Sequence, residues 1–222
     1  SNIVNINGGN IDGEVYGGHS YCGNAEGNEV NITGANNLAY VYGGVTEGGK
    51  SEGNKVTINS GNINGVFSGF GVGGNVINNK VTINGGTIKD VYGGYVSSGP
   101  KIRVVEGNAE GNTVIINGGT VNEVIAGYSP TKVVQGNEVI ISNSTGEGSV
   151  GDVIGGSAER NEEEDYSSVK DNIVTWKSGD IKGNIYAGAV SEFNFDTEEH
   201  IYKPVENASG ILNVYHSSST AK

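Results

Sequence analysis

Three carboxylates that recur at one position of a repeated phrase are the side chains whose spacing could do chemistry. Asp90, Glu123 and Asp152 each stand directly before a Val-Tyr or Val-Ile pair. If the phrase stacks in parallel strands, these carboxylates lie about 5 Å apart along the stack. Like charges at that distance repel each other, which raises a pKa or attracts a cation. The spacing gives the hypothesis of a weak cation ladder, in a sequence that otherwise predicts no metal site.

The other reactive residue types do not form a recognisable catalytic arrangement. Cys22 is the only cysteine, so no disulfide can form within the chain, and no histidine stands at a spacing that makes it a base for this thiol. Neither Arg103 nor Arg160 adjoins the paired carboxylates that polysaccharide-cleaving sites need. The four acids at 162–165 lack the spacing and glycine of a calcium loop, so we interpret them as a solvated charge run. The sequence predicts neither an enzyme nor a cofactor.

Composition and charge narrow the class of protein further. The chain has 39 Gly and 3 Pro without a Gly-X-Y period, which excludes collagen. Its formal net charge of −12, without clustered Lys and Arg, argues against nucleic acid and against an anionic membrane surface as partners. No signal peptide or long apolar run is present. Because the sequence contains no Met, we expect it to be cut from a longer exported protein.

An internal repeat organises the sequence. Each copy contains N-x-V-x-I, a Gly-rich turn, an aliphatic residue and a phrase close to V-Y-G-G, and a decayed eighth copy begins at Gly210 with Leu212 and Val214 in aliphatic positions. The leading asparagines are 25, 26, 33 or 35 residues apart, which indicates a base period with insertions. The seven leading asparagines are Asn2, Asn28, Asn54, Asn79, Asn112, Asn137 and Asn172.

The repeat predicts an all-β fold for residues 1–222 as one domain. V-x-I alternation is typical of a half-buried strand, and a single copy cannot bury its apolar face, whereas stacked copies form continuous aliphatic columns. We therefore predict a right-handed parallel β-helix, a solenoid of about seven to eight rungs with a period of about 25 residues. A β-propeller blade needs about 40 residues, and calcium-binding β-rolls need nonapeptides that are absent.

Two columns of this solenoid allow more than one interpretation. The leading asparagines are either a hydrogen-bonded ladder at a corner or simply residues that tolerate a left-handed turn. The aromatic residues of the V-Y-G-G phrases stack on successive rungs. If the preceding valine faces inward, they form an outward strip that could bind a partner or a sugar, unless a nearby corner packs them inside. These aromatic residues are Tyr16, Tyr42, Phe67 and Tyr92.

Three insertions interrupt the repeat near 95–111, 157–171 and 189–209. Insertions at one repeat position emerge on one side of a solenoid, often the binding side, so these protruding loops are the predicted contact surfaces. Neutral drift in tolerant loops is the alternative. The predicted binding residues are one arginine and four aromatic residues, namely Arg103, Tyr166, Phe193, Phe195 and Tyr202.

The repeated phrases also resemble a known family. G-G-x-I-x-x-V-Y-G-G and G-N-A-E-G-N-x-V-x-I are similar to repeats in the passenger regions of large Gram-negative autotransporter adhesins, such as the fusobacterial haemagglutinin-like surface proteins. The resemblance covers residues 1–188. It implies a β-helical stalk on the cell surface, anchored in the outer membrane by a C-terminal β-barrel that this chain lacks. It implies no catalytic residues.

The sequence leaves three functions open. The first is a non-catalytic segment of a surface adhesin that displays loops to a host-surface glycan or protein, or to another bacterium, and that is a monomer. The second is a polysaccharide-active or carbohydrate-binding β-helix. The third is a passive structural spacer. An assembled groove of carboxylates would favour the second, a bare uniform rod the third, and an exposed aromatic or apolar patch with protruding loops the first.

Overall fold

Parallel strands stacked in register make up the regular structure of the chain. A computed structural model describes residues 1–97, 107–130, 132–143, 148–159, 168–194, 199–204 and 209–215. The described residues form strands and turns, and they contain no helix with the length and apolarity that crossing a membrane requires. The predicted parallel β-helix is confirmed.

The strands follow the repeat. In chain order they are β1 Ile3–Ser20, β2 Ala25–Glu26, β3 Glu29–Thr46, β4 Ser51–Glu52, β5 Lys55–Ile58, β6 Gly61–Val72, β7 Val76–Ile77, β8 Lys80–Ile83, β9 Thr87–Ser97, β10 Ala109–Glu110, β11 Thr113–Ile116, β12 Thr120–Ser129, β13 Val134–Gln135, β14 Glu138–Ser142, β15 Val150–Glu159, β16 Val169–Ser178, β17 Ile185–Asn194, β18 Glu199–Pro204 and β19 Ser209–Val214. We number the rungs 1 to 7 by their leading asparagines. Rungs 3 to 6 each contain a two-residue strand, a V-x-I strand and a long strand that carries the V-Y-G-G position.

Equivalent residues of successive rungs pair with each other. Val4 pairs with Val30, and Val30 with Val56, so every V-x-I strand lies beside the V-x-I strand of the next rung. The long strands pair in the same way, and Tyr42 lies between Tyr16 and Phe67. The eighth copy also pairs as predicted, with Leu212 of β19 opposite Val174.

The interior consists of four aliphatic columns, two from the V-x-I strand and two from the long strand. In rung 4 these positions are Val81, Ile83, Ile88 and Val91, and each is at most 1% exposed. Full burial of one such side chain stabilises the fold by about 1.5–3 kcal/mol. Because each rung adds apolar side chains at the same four positions to one cluster, the core grows with rung number.

The leading asparagines form a buried hydrogen-bonded ladder. From Asn2 to Asn137, each Nδ2 donates to the Oδ1 of the next ladder asparagine at 2.8–3.1 Å, and each backbone N–H donates to the same oxygen at 2.9–3.0 Å. The ladder asparagines are buried except for Asn2 at its start. From Asn54 onward the second amide hydrogen goes to a backbone carbonyl, for example from Asn112 to Val76 O at 3.0 Å. The ladder interpretation is therefore confirmed for this column.

Left-handed turn residues occupy the position just before the ladder. Gly111, which precedes Asn112, has a φ of +64°, and Asn78, which precedes Asn79, has a φ of +55°. A left-handed residue reverses the chain so that the next side chain enters the interior, and glycine adopts this conformation without steric cost. The leading asparagine forms the hydrogen-bonded ladder, and the residue before it adopts the left-handed turn. The two roles that the sequence left as alternatives thus belong to adjacent residues.

The second glycine of each V-Y-G-G phrase packs against the ladder. A Cβ at Gly94 would lie 2.5 Å from Cγ of Asn112, the leading asparagine of the next rung. In rungs 1, 2, 3, 5 and 6 a Cβ at the equivalent glycine would lie 2.4–2.6 Å from the side chain of the asparagine that leads the following rung. Real Cβ atoms do not approach other atoms this closely. The glycine is therefore required by the neighbouring amide side chain.

The long strand bends at these glycines. Val91, before them, belongs to the main core, whereas Val96, after them, packs in a separate small cluster with Val76 and Ala109. After the glycines, the long strand of rung 4 packs against two-residue strands. These short strands pair with one another along the axis of the solenoid. A second small cluster, Val134, Ala158 and Val169, lies in the same place two rungs later, so these rungs have a smaller apolar cluster beside the main core.

Replacing Asn112 by Ala should destabilise the fold strongly. The change leaves a buried N–H and a buried side-chain amide of Asn79 without their acceptor, so we expect the free energy of unfolding to fall by about 3 kcal/mol or more. Urea denaturation of the two purified proteins measures this difference.

Asn117→Ala is the matched control. Asn117 donates to Asn84 Oδ1 at 2.9 Å in a second, exposed amide ladder, and we expect its loss to cost under about 1 kcal/mol. Equal losses for the two variants would contradict the role given to burial.

Candidate functional site

Most of the predicted loop residues lie outside the described part of the chain. Arg103, Tyr166 and Phe195 fall in the ranges 98–106, 160–167 and 195–198, which the structure does not describe. Phe193 lies in β17, where its backbone pairs with His200 of β18. Tyr202 is described and contacts the body of the solenoid, as shown below.

The three carboxylates of the hypothetical cation ladder do stack in register. Glu123 pairs with Asp90 on one side and with Asp152 on the other. Each carboxylate has a protein partner of its own. Asp152 Oδ1 accepts from the backbone N–H of Asn184 at 2.6 Å, and Asp90 lies 3.7 Å from the Lys89 ammonium.

Metal binding by this column stays a hypothesis. Within the described ranges, no group of three or more His, Cys, Asp or Glu side chains is placed to hold one ion. Burial raises the pKa of Asp90, and Lys89 opposes that rise. The shift has the direction expected from a column of like charges, but its main cause is burial.

The V-Y-G-G aromatics form a continuous stack outside the main core. We call Tyr16, Tyr42, Phe67 and Tyr92 the first stack. Neighbouring ring centroids are 5.0, 5.2 and 4.8 Å apart, with interplanar angles of 12°, 17° and 1°. Alternation correctly places these rings outward from the valine columns. However, Phe67 is buried, Tyr42 and Tyr92 are half-buried, and Tyr16 is the one ring of the four that is exposed, at 39%.

A second stack covers the first and was not predicted. Phe70, Tyr95 and Tyr128 stack at 5.4 and 4.7 Å, three residues after the first-stack position. Tyr92 and Tyr95 meet edge-to-face at 5.1 Å and 83°. Positions three apart on a straight strand point to opposite faces, so this contact requires the bend at the glycines. We call the two stacks together the aromatic corner.

The signal for the second stack was present in the sequence. Phe70 and Tyr95 follow their V-Y-G-G-type aromatics at the same distance in consecutive rungs. The repeat pattern did not include this position because other rungs have His19, Val45, Ser157 or Ala189 there.

Tyr202 contacts the C-terminal part of the aromatic corner. It comes from β18, which pairs antiparallel with β17, and its ring packs with the cluster of Ile125, Tyr128 and Ile154. Its hydroxyl donates to Glu123 Oε2 at 2.7 Å, while the hydroxyl of Tyr92 donates to Glu123 Oε1 at 3.0 Å. Tyr202, one of the predicted binding residues, thus connects the third insertion to Glu123, which lies 79 positions earlier in the sequence.

The N-terminal part of the corner presents exposed aromatic surface. We call Glu14, Tyr16, Tyr40 and Tyr42 the N-terminal patch. Tyr16 and Tyr40 are 39% and 40% exposed, and Glu14 and Tyr40 occupy the same position of rungs 1 and 2 that Glu123 occupies in rung 5. Tyr40 leans over Gly65 of the next rung, where a Cβ would lie 2.7 Å from its ring.

A stacked histidine and tyrosine continue from this patch. His19 stacks on Tyr16 at 5.5 Å and on Tyr21 at 4.9 Å, and its Nε2 lies 3.4 Å from Glu47. Exposed tyrosine rings can pack against an apolar or aromatic group, and the carboxylates beside them can accept hydrogen bonds from its polar end.

Hydrogen bonding and burial keep the tyrosines of the corner neutral. The hydrogen bond from Tyr16 to Glu14 is the main cause that raises the pKa of Tyr16 to about 12. Burial is the main cause of a raised pKa at the other tyrosines of the corner and at Tyr202. These residues are Tyr42, Tyr92, Tyr95, Tyr128 and Tyr202.

Comparison with known proteins gives no match to any family model, curated protein or solved structure.

Stability should fall in alkaline solution because of these tyrosines. An unfolded tyrosine has a pKa of about 10, so the unfolded chain releases these protons before the folded chain does. The free energy of unfolding should stay constant up to about pH 9 and fall as the pH rises through about 10 to 12. Urea denaturation at a series of pH values, with the ultraviolet absorbance of tyrosinate as a second signal, measures this.

The variant Tyr42→Phe tests whether the corner causes the effect. It removes one ionisable hydroxyl with a raised pKa from the first stack and keeps the ring. The alkaline loss should therefore be smaller than in the unsubstituted chain. An identical pH profile would show that other groups control it.

Proposed function

We propose that this chain is a non-catalytic, rod-forming segment of a bacterial surface autotransporter adhesin, displayed outside the outer membrane. In this proposal the side of the rod with the aromatic corner contacts a protein on a host cell or on another bacterium. The supporting observation is the in-register stacking of Tyr16, Tyr42, Phe67 and Tyr92 outside the core of a parallel solenoid.

The architecture fits such a role physically. The V-x-I strands of the inner rungs each pair in parallel with two neighbours, and the amide ladder adds side-chain hydrogen bonds between successive rungs. A rod of this kind keeps surface residues at fixed spacing over its length. Exposed aromatic patches on such scaffolds are typical of protein interaction sites.

The acidic character of the chain favours a partner that is not strongly acidic. The formal net charge is −12, and Glu14 and Glu47 lie at the exposed end of the aromatic corner. Complementary charge speeds encounter, while like charge selects against wrong partners.

Beads coated with the purified chain should adhere to host epithelial cells or to partner bacteria. The double variant Tyr16→Ser/Tyr40→Ser removes two exposed rings without touching the aliphatic core, and it should reduce adhesion at least about tenfold, as loss of interface hot-spot residues does. Tyr215→Ser, which removes a 69% exposed ring on a different part of the chain, is the matched control.

Circular dichroism of each variant checks that the fold is retained. Beads that adhere to no cell type would contradict the proposed function. Adhesion that survives the double variant would instead favour the insertions near 95–111, 157–171 and 189–209 as the contact surface.

A further inference from the structure

The outer face of the V-x-I strands carries two isoleucines at a position that is polar in the rungs before them. Ile115 of rung 5 and Ile140 of rung 6 pair in register, and the equivalent residues of rungs 3 and 4 are Thr57 and Thr82. Both isoleucines are half-buried, and among the described residues neither belongs to an apolar cluster. Adjacent outward-facing apolar side chains of this kind are typical of an interaction surface.

This face lies on the flank of the rod and is not an open end of the stack. Rung 5 pairs with rung 4 on one side and with rung 6 on the other. The strands β5, β8, β11, β14 and β16 pair in this order, so their outward positions repeat about every 4.8 Å along the axis. A sheet face of this kind packs against another sheet face at a separation of about 10 Å.

Two unpaired charges lie in the column beside the isoleucines. Lys80 and Glu138 pair with Thr113 from opposite sides, one rung before it and one rung after it. Within the described part of the chain, neither the Lys80 ammonium nor the Glu138 carboxylate has an ion-pair or hydrogen-bond partner. The two charges are opposite in sign and stand at equal distances from rung 5.

This arrangement is complementary to itself under a two-fold rotation. An axis that runs along the strands at rung 5 places rung 4 of one copy opposite rung 6 of the other. Lys80 then faces Glu138 of the second copy, and this pair occurs twice in the dimer. Ile115 faces Ile115 of the second copy at the centre. A lysine and a glutamate side chain together span a sheet separation of about 10 Å.

We propose that two copies of this chain associate face to face through the V-x-I strands of rungs 3 to 7, with a two-fold axis at rung 5. The partner is a second copy because one face supplies both members of each charge pair, as an isologous interface requires. The chain is then a dimer rather than the monomer that its sequence suggests. The inference does not rest on the proposed function, since it concerns a different face of the rod.

The size of this face predicts a weak dimer. Five rungs at about 4.8 Å and three outward positions per strand at about 7 Å give about 500 Å² per copy. Two copies together bury about 1,000 Å², which is the lower limit for a specific interface. The net charge of −12 on each copy also opposes association. We expect a dissociation constant of about 100 µM.

Charge reversal tests the proposal by sedimentation equilibrium, at about 10 µM to 1 mM protein and about 0.15 M salt. Lys80→Glu alone and Glu138→Lys alone should each weaken the dimer at least about tenfold, because each places two pairs of like charges across the interface. The double variant should dimerise again. An equimolar mixture of the two single variants should also dimerise, because every charge in the mixed pair then faces its opposite.

The apolar contact has a test of its own in Ile115→Thr. The threonines at the equivalent positions of rungs 3 and 4 show that the repeat accepts this residue. The substitution should weaken the dimer about tenfold, because an apolar contact is lost from both copies. Circular dichroism of each variant checks that the fold is retained.

Two controls change the net charge by the same amount at other positions. Glu52→Lys, on a two-residue strand, should leave the dissociation constant unchanged. Lys55→Glu, which lies one rung before Lys80 in the same column, should have a smaller effect than Lys80→Glu.

Three outcomes would overturn the proposal. One is a chain that stays monomeric at every concentration, and another is a mixture of the two single variants that does not dimerise. The third is a larger effect of Lys55→Glu than of Lys80→Glu, because it would move the axis away from rung 5.

Discussion

A buried amide must satisfy all of its hydrogen-bonding groups, and this requirement at the asparagine ladder constrains the rest of each rung. Asn112 donates to Asn137 and to Val76 O, and it accepts twice from Asn79. This geometry holds only if the rungs are parallel and in register at the corner. It also requires a left-handed residue just before the amide and a residue without a Cβ packed against it. For Asn112 these residues are Gly111 and Gly94 of the preceding rung.

The bend at the ladder connects this constraint to the surface. Because the chain turns at the two glycines, aromatic residues three positions apart come into contact outside the core, as Tyr92 and Tyr95 do. In rungs 3 and 4 both positions of the corner carry rings, and these rings meet edge-to-face. A single carboxylate, Glu123, joins Tyr92 to Tyr202 of a distant strand. The same packing that stabilises the rod also leaves part of the Tyr16 and Tyr40 rings at the surface, and the Tyr16 hydroxyl donates to Glu14 there.

The repeat made the fold predictable, whereas the site was predictable only in part. Period-2 alternation in V-x-I and fixed spacing place every rung, including Leu212 in the eighth, and the same spacing predicts the first stack and the carboxylate register. The role of the second V-Y-G-G glycine depends on an amide 18 residues further on for Gly94, a contact that appears only after the rungs are stacked. The contact of Tyr202 with Glu123 depends on how an insertion folds back, and no periodicity encodes that.

The most direct test of the account is a double-mutant cycle between Gly94→Ala and Asn112→Ala, followed by urea denaturation. The three atoms closest to a Cβ at Gly94 all belong to the Asn112 side chain, so the steric cost of Gly94→Ala should largely disappear when Asn112 is already Ala. We expect a coupling energy of about 1–3 kcal/mol between the two sites, and additive effects for Gly94→Ala with Asn117→Ala. Additive effects in both cycles would contradict the claim that the buried amide side chain requires a glycine at position 94.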